Sequence, residues 1–414
     1  MQKKIELSRD KAIVFMGTMN AMPMMYAMEL RKLGYEVVYF VDVSQKDKLS
    51  RPENHFPEIS YPYPSWIIEA VLPSQIILAL FPKLLSLFFK GKIKEVTKKD
   101  VGCFFLNGFF SSLIPYLARK SKKIILSHGS DLDVWAYKDA SESLAKSFSN
   151  RSFFRYLPKK ISTYAINRIV ENQYTGMSRS DTVFYFPSGL NAIGDKVVRD
   201  LSSAGVNYIP RYDISFEPLR NQSRDFKKRS SVFNIFSGVR FTFATFPDGN
   251  PGYGKGNDII IKGIAKFLLV NPNIQVNFVE KGEDVGSAKK MCHDLGLDDV
   301  VVWHKEMPFK KLLDLYSDAD ICFDQMGPHW IGAIGGYALW LGKPLIANTE
   351  SLIRNQVWPE DNPVCSALTS DDICEWLIRL QDDIFRENIS IRSKIFVEKH
   401  MSPNKALDDA FYFK

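Results

Sequence analysis

The feature that most constrains this chain is the regular alternation of helical and strand-like runs between Gly254 and Ala347. In order they are KGND, an amphipathic helix, a strand ending VEKGED, a second helix, VVWH, a third helix, DICFDQ, a glycine-rich turn and ALWLGKPLIA. Charged or glycine-rich loops fall where the strands end. That pattern predicts an open parallel sheet covered by helices, with its ligand outside the carboxyl ends of the strands.

The chain has 414 residues, 45% of them apolar. Single cores stop growing at about 250–300 residues, so two cores are expected. Residues 11–42 open the first: KAIVFMG is a strand ending in Gly17, Ala21 to Leu33 a helix stopped by Gly34, and YEVVYFVD the next strand. This start lacks G-x-G-x-x-G, so a dinucleotide site is not indicated. VGCFFLNG ends a buried strand at Asn107–Gly108. KKIILSHGSDLD places His128 and Asp131 just past another strand, residues 134–175 read as helical, and 180–189 as a strand and turn. Two prolines and the run RNQSRDFKKR mark 205–231 as the linker region. The second domain begins with SVFNIFSGVRFTFATF, in which Arg240 opens a strand, and residues from Asp371 to His400 read as helix. The expected division is 1–210, 211–390 and a closing helix, 391–414, that packs back on the first domain.

The net charge of +7 is concentrated in the first 230 residues, with lysine clusters at 90–99 and 119–123. Such charge reads as a solvated face, an anionic-lipid surface or a nucleic-acid surface. No nucleic-acid-binding module accompanies it, so nucleic acid is not expected as a partner. Ile76 to Phe89 is apolar and runs into the 90–99 lysines. It reads as a core helix that can also dock on an anionic membrane, and the stretch 66–99 is the candidate contact. The longest charge-free run there falls short of the ~20 residues that span a bilayer. Five cysteines, none in a C-x-x-C pair, indicate a reducing compartment and no structural zinc. With no signal-peptide core in MQKKIELSRD, the expected location is cytoplasmic, peripheral at the inner face of the membrane.

The pieces of 254–347, taken with HGSD at 128–131, resemble a GT-B glycosyltransferase related to glycosyltransferase family 4. The resemblance implies an α/β protein of two Rossmann-like domains whose parallel sheets face each other across a cleft. It also implies transfer of a sugar from a nucleoside diphosphate donor to a hydroxyl of a glycan or lipid-linked acceptor, as in cell-surface polysaccharide assembly. The second domain would bind the donor and the first the acceptor, without a metal and with no other cofactor. Two alternatives stay open: a GT-B nucleotide-sugar epimerase, and a non-catalytic glycan-binding scaffold that kept the fold.

Transfer requires the leaving diphosphate to be neutralised and the acceptor hydroxyl to be held in line. Lys255 and Gly256 open a helix, where a lysine reaches a diphosphate and glycine lets the backbone approach. The family pairs that lysine with an arginine at a strand end, and Arg240 is the candidate. Lys281 stands beside the expected nucleotide turn, with Glu283 and Asp284 readable instead as helix caps. His304 lies where the family grips the base. Asp324 and Gln325 end a buried strand, and Gly332, Gly335 and Gly336 offer N–H groups to phosphate at a helix start. The family's glutamate pair falls on His329 and Tyr337, so both carboxylates are missing. That leaves the sugar contacts unassigned: Asp324 and Gln325 are placed to take part of the work, His329 beside Trp330 suits a sugar pocket, and Tyr337 reads as a donor contact or as a helix packing residue. In the first domain, His128 is the catalytic candidate with Asp131 orienting its ring or serving as base. Gly17 and Asn107 are placed on the acceptor side.

Overall fold

The computed structural model describes residues 4–47, 50–56, 58–148, 152–211, 225–226, 231–246, 254–327 and 330–413. The chain forms two compact units, Met1–Tyr212 with Pro403–Lys414, and Asp213–Ser402.

The first unit is built on a seven-stranded parallel sheet. Its order is Ile67–Glu69, Val37–Val41, Ala12–Met16, Val101–Leu106, Lys122–Leu126, Thr182–Tyr185 and Asn207–Pro210. Strands Ala12–Met16, Val37–Val41 and Val101–Leu106 are apolar throughout because both faces are covered. Ile13, Phe15, Phe105 and Leu126 enter one core, while Val14, Met16, Phe104 and Ile125 enter the other. The last strand lies inside the stretch expected as linker. Pro210 ends it at the sheet edge, where a residue without an N–H is tolerated. The expected helical run 134–175 is divided as well. Ser141–Phe148 and Lys159–Met177 are separate helices, and Pro158 starts the second.

The second unit carries six parallel strands in the order Val301–Lys305, Ile274–Glu280, Phe233–Ser237, Ile321–Phe323, Leu345–Ala347 and Cys365–Ser366. Helices Asn257–Leu268 and Ser370–Arg379 pack Ile260, Ile264, Phe267, Ile373 and Leu377 onto the sheet. The return to the first unit starts later than residue 391. Helix Asp383–His400 belongs to the second unit, and only Pro403–Lys414 belongs to the first. There Phe411–Phe413 pairs in parallel with Ile5–Leu7, and Phe411 packs against Phe105 and Phe184.

Candidate functional site

In the second unit, Ser237 and Phe323 end their strands side by side, and Phe278 pairs with Ser237 two residues before the end of Ile274–Glu280. Arg240, Lys281 and Asp324 therefore leave the sheet along one edge. The sequence reading had Arg240 opening a strand, but the strand closes at Ser237 and Arg240 follows it, exposed. The run FTF looked like its continuation. Instead Phe241 turns onto Phe278 and Trp303. Asp284 fixes the next turn by accepting from the N–H groups of Phe243, Ala244 and Thr245 at 2.7, 2.9 and 3.0 Å. Asp284 precedes helix Val285–Asp294 yet makes no cap bond to it, so its side chain secures the loop after Arg240.

Gly256 sits at φ 66° at the start of helix Asn257–Leu268, and a Cβ there would lie 2.7 Å from Met326 Cβ. Only glycine lets the Lys255 backbone close on the 326–327 turn, where Lys255 O accepts from Met326 N at 2.9 Å. Lys255 Nζ donates to Gln325 Oε1 at 2.7 Å. Burial holds the Lys255 ammonium below its usual value; Asp324 opposes this, and nearby Arg240 adds to it. An anion placed here would relieve the repulsion between the two cations.

Asp324 is buried, and its carboxylate is already occupied. It accepts from Gln325 N at 2.8 Å, Gly332 N at 2.7 Å and Gly335 N at 3.1 Å. Gly336 N donates to Gly332 O. The three glycine N–H groups assigned to phosphate thus serve the fold, and Asp324 is the anion at the start of helix Ala333–Trp340. Burial raises the Asp324 pKa against the pull of those N–H groups and Lys255. The Tyr337 ring packs on Phe309 and Tyr316, the packing role open to it beside the donor contact. His304 Nε2 bonds Asn277 Oδ1 at 2.9 Å, on the sheet. Lys281 is half-buried beside Phe241, whose N–H bonds the Lys281 carbonyl at 2.7 Å. His329 lies outside the described residues. Asn348, which no motif singled out, donates to the carbonyls of Met326 and Gly327 and fixes the turn against Lys255.

In the first unit, Gly17 turns at φ 100° over the Asn107 carbonyl. The Asn107 side chain is spent on the scaffold: it accepts from Met19 N at 3.0 Å and donates to Leu126 O at 2.6 Å. Asp131 was expected to orient the His128 ring. Its carboxylate instead accepts from Ser127 Oγ at 2.8 Å, His128 N at 3.1 Å and Gly108 N at 3.3 Å, so it shapes the loop. Burial pushes the Asp131 pKa up to about 6. The ring is held by Arg211, whose NH2 nitrogen lies 2.7 Å from His128 Nδ1 and 2.6 Å from Ser127 O. Burial, then the Arg211 charge, lower the His128 pKa well below the usual value. Asp133 accepts from Tyr185 Oη at 2.9 Å and Asn191 Nδ2 at 2.8 Å. Arg211 was missed because it stood in the presumed linker. Its position directly after the strand NYIP was the available signal.

Neither a family model nor a curated protein matches the sequence. Solved structures do match. Sucrose-phosphate synthase from Thermosynechococcus elongatus superposes with TM-score 0.55 at 14% identity, over 97% of both chains. The fold is GT-B. A candidate UDP-N-acetylglucosamine 2-epimerase from Listeria monocytogenes gives TM-score 0.54 at 8% identity, over 97% of this chain and 94% of its own. The N-terminal domain of trehalose-6-phosphate phosphatase from Candida albicans gives 0.56 at 12%, over 99% and 97%. At these identities the likeness establishes architecture alone.

The apolar-basic stretch has two faces. Helix Pro82–Val96 buries Phe89 and Ile93 in the core, Phe89 packing edge-on to Phe40 and Phe110. Its other face leaves Leu84 66%, Leu87 59% and Phe88 47% exposed. A groove of about 520 Å³ joins this face to Arg168 on helix Lys159–Met177, where Ile161 and Tyr164 are also exposed. Among the described residues no helix is long and apolar enough to cross a membrane.

Proposed function

We propose that this chain is a glycosyltransferase that moves a sugar from a nucleoside diphosphate donor to a hydroxyl of a glycan or lipid-linked acceptor. The observation that carries the reading is the pairing of Lys255 and Arg240 at the carboxyl edge of the second unit's sheet. Two cations within electrostatic reach of each other, one of them desolvated, suit the β-phosphate of a leaving nucleoside diphosphate. In the reaction the acceptor oxygen bonds to the anomeric carbon, the bond from that carbon to the phosphate oxygen breaks, and the acceptor's hydroxyl proton passes to the departing diphosphate. The departing diphosphate gains charge, which Lys255 and Arg240 neutralise without a metal. In the first unit, His128 offers a polar ring on a loop held by Asp131 and Arg211.

The exposed face of Pro82–Val96, with its lysines, supports an acceptor met at an anionic membrane surface, by apolar insertion and cation attraction together. A cytoplasmic enzyme assembling cell-surface polysaccharide fits that setting. The decisive experiment is a thermal-shift panel of UDP-, GDP-, ADP- and CMP-sugars, followed by product analysis with the stabilising donor. Transfer to an added hydroxyl acceptor supports the reading; stabilisation by none of the panel refutes it. The likeness to the Listeria epimerase candidate favours one second reading, conversion of the donor alone. It predicts a changed sugar nucleotide with no acceptor present.

A further inference from the structure

We propose that Arg211 is a positioning residue: it locks His128 as the Nε2–H tautomer, so that the ring is a fixed hydrogen-bond donor to a substrate oxygen and not a proton acceptor. The identity of that substrate rests on the glycosyl-transfer reading; the Arg211–His128 pairing does not.

A guanidinium carries N–H donors and no acceptor. A ring nitrogen 2.7 Å from Arg211 must therefore accept, which places the lone pair of Nδ1 on Arg211 and the proton of the neutral ring on Nε2. An imidazolium would set a second donor and a second positive charge against the guanidinium. The arginine cannot easily swing away, because the same nitrogen also donates to Ser127 O at 2.6 Å, and Arg211 is itself buried.

Among the described residues, the charged groups around the ring offer it no other proton partner. Arg211 comes from the end of the edge strand Asn207–Pro210. From the short helix Ser130–Asp133, Asp131 is engaged by Ser127, His128 N and Gly108 N, and Asp133 by Tyr185 and Asn191. His128 Nε2 is buried and meets no hydrogen-bond partner among the described residues. A buried donor without a partner is costly, so its position is explained by a ligand atom that accepts. With Arg211 already supplying charge nearby, a hydroxyl or ring oxygen of a sugar is the acceptor this donor suits.

The test has a spectroscopic arm and a kinetic arm. Long-range ¹H–¹⁵N spectra at pH 7 are recorded on the full chain, with His128→Gln used for assignment among the six histidines. The expected result is a neutral His128 with Nδ1 unprotonated; an imidazolium, or a proton on Nδ1, overturns the proposal without any substitution being needed. In Arg211→Met the ring should mix tautomers and its pKa should rise, while burial still holds it below the ordinary value. With the donor found by the thermal panel, kcat should fall about tenfold while donor affinity is unchanged, and Arg211→Lys should restore the tautomer and part of the rate. A folded Arg211→Met protein with mixed tautomers and wild-type kcat overturns the positioning role. A wild-type chain that turns over no nucleotide sugar overturns the glycosyl-transfer reading, and the substrate half of this proposal with it; the spectra still decide the pairing.

Discussion

Replacing Asp324 with alanine tests whether the start of helix Ala333–Trp340 is filled from within. The carboxylate accepts three backbone N–H groups, from Gln325, Gly332 and Gly335. Each buried donor left without an acceptor costs about 1–3 kcal/mol. Gly332 is half-buried and can turn to water, so two full penalties remain, about 2–6 kcal/mol. Burial raises the Asp324 pKa, so the ionised side chain already carries a desolvation cost that its removal recovers. The net loss is then about 2–4 kcal/mol, a large share of the ~5–15 kcal/mol typical of a domain. Urea unfolding followed by tryptophan fluorescence reads it. A second arm is specific to the site: Asp324→Ala frees N–H groups at a helix start, so phosphate should raise the variant's midpoint more than the wild type's. A variant within about 0.5 kcal/mol of wild type, with no added response to phosphate, refutes the reasoning.

Three further outcomes follow from the geometry. Asp131 has its folded pKa raised from 3.8 to about 6, so its neutral form favours the fold. That contribution is complete below pH ~4 and lost as pH rises through ~6, and wild type should lose about 3 kcal/mol relative to Asp131→Asn across this window, by denaturant titration at each pH. Gly256→Ala must adopt φ 66° with its Cβ 2.7 Å from Met326 Cβ, so a loss of at least about 1 kcal/mol in stability is expected, together with weaker nucleotide binding. The protein should float with anionic vesicles at low salt and less at high salt, and Leu84→Glu with Leu87→Glu should abolish flotation; no binding at either salt removes the membrane contact.

The two parallel sheets were legible because strands covered on both faces leave uninterrupted apolar runs, as in AIVFM and VGCFFL. Lys255–Gly256 was legible because a helix start needs few residues to declare itself. What stayed hidden depended on contacts distant along the chain. Arg240 looked like the start of a strand until Asp284, far along the sequence, bent residues 243–245 away. The glycines at 332 and 335 resembled a phosphate cradle because nothing local shows that Asp324 folds back onto them. Asp131 sits three residues from His128, yet its carboxylate meets that residue's backbone, and the ring's partner, Arg211, comes from the far edge of the sheet. Local pattern placed the elements; charge partners had to be read in space.

The most direct test of the account is calorimetric titration of UDP, GDP, ADP and CMP into wild type and Lys255→Ala. One nucleotide should bind wild type, and loss of a charge-assisted hydrogen bond worth about 1.5–3 kcal/mol should weaken it roughly ten- to a hundredfold in the variant, with the variant still folded at the titration temperature. Equal affinity for wild type and Lys255→Ala, or no binding of any of the four, would contradict the claim that this edge of the sheet holds a diphosphate.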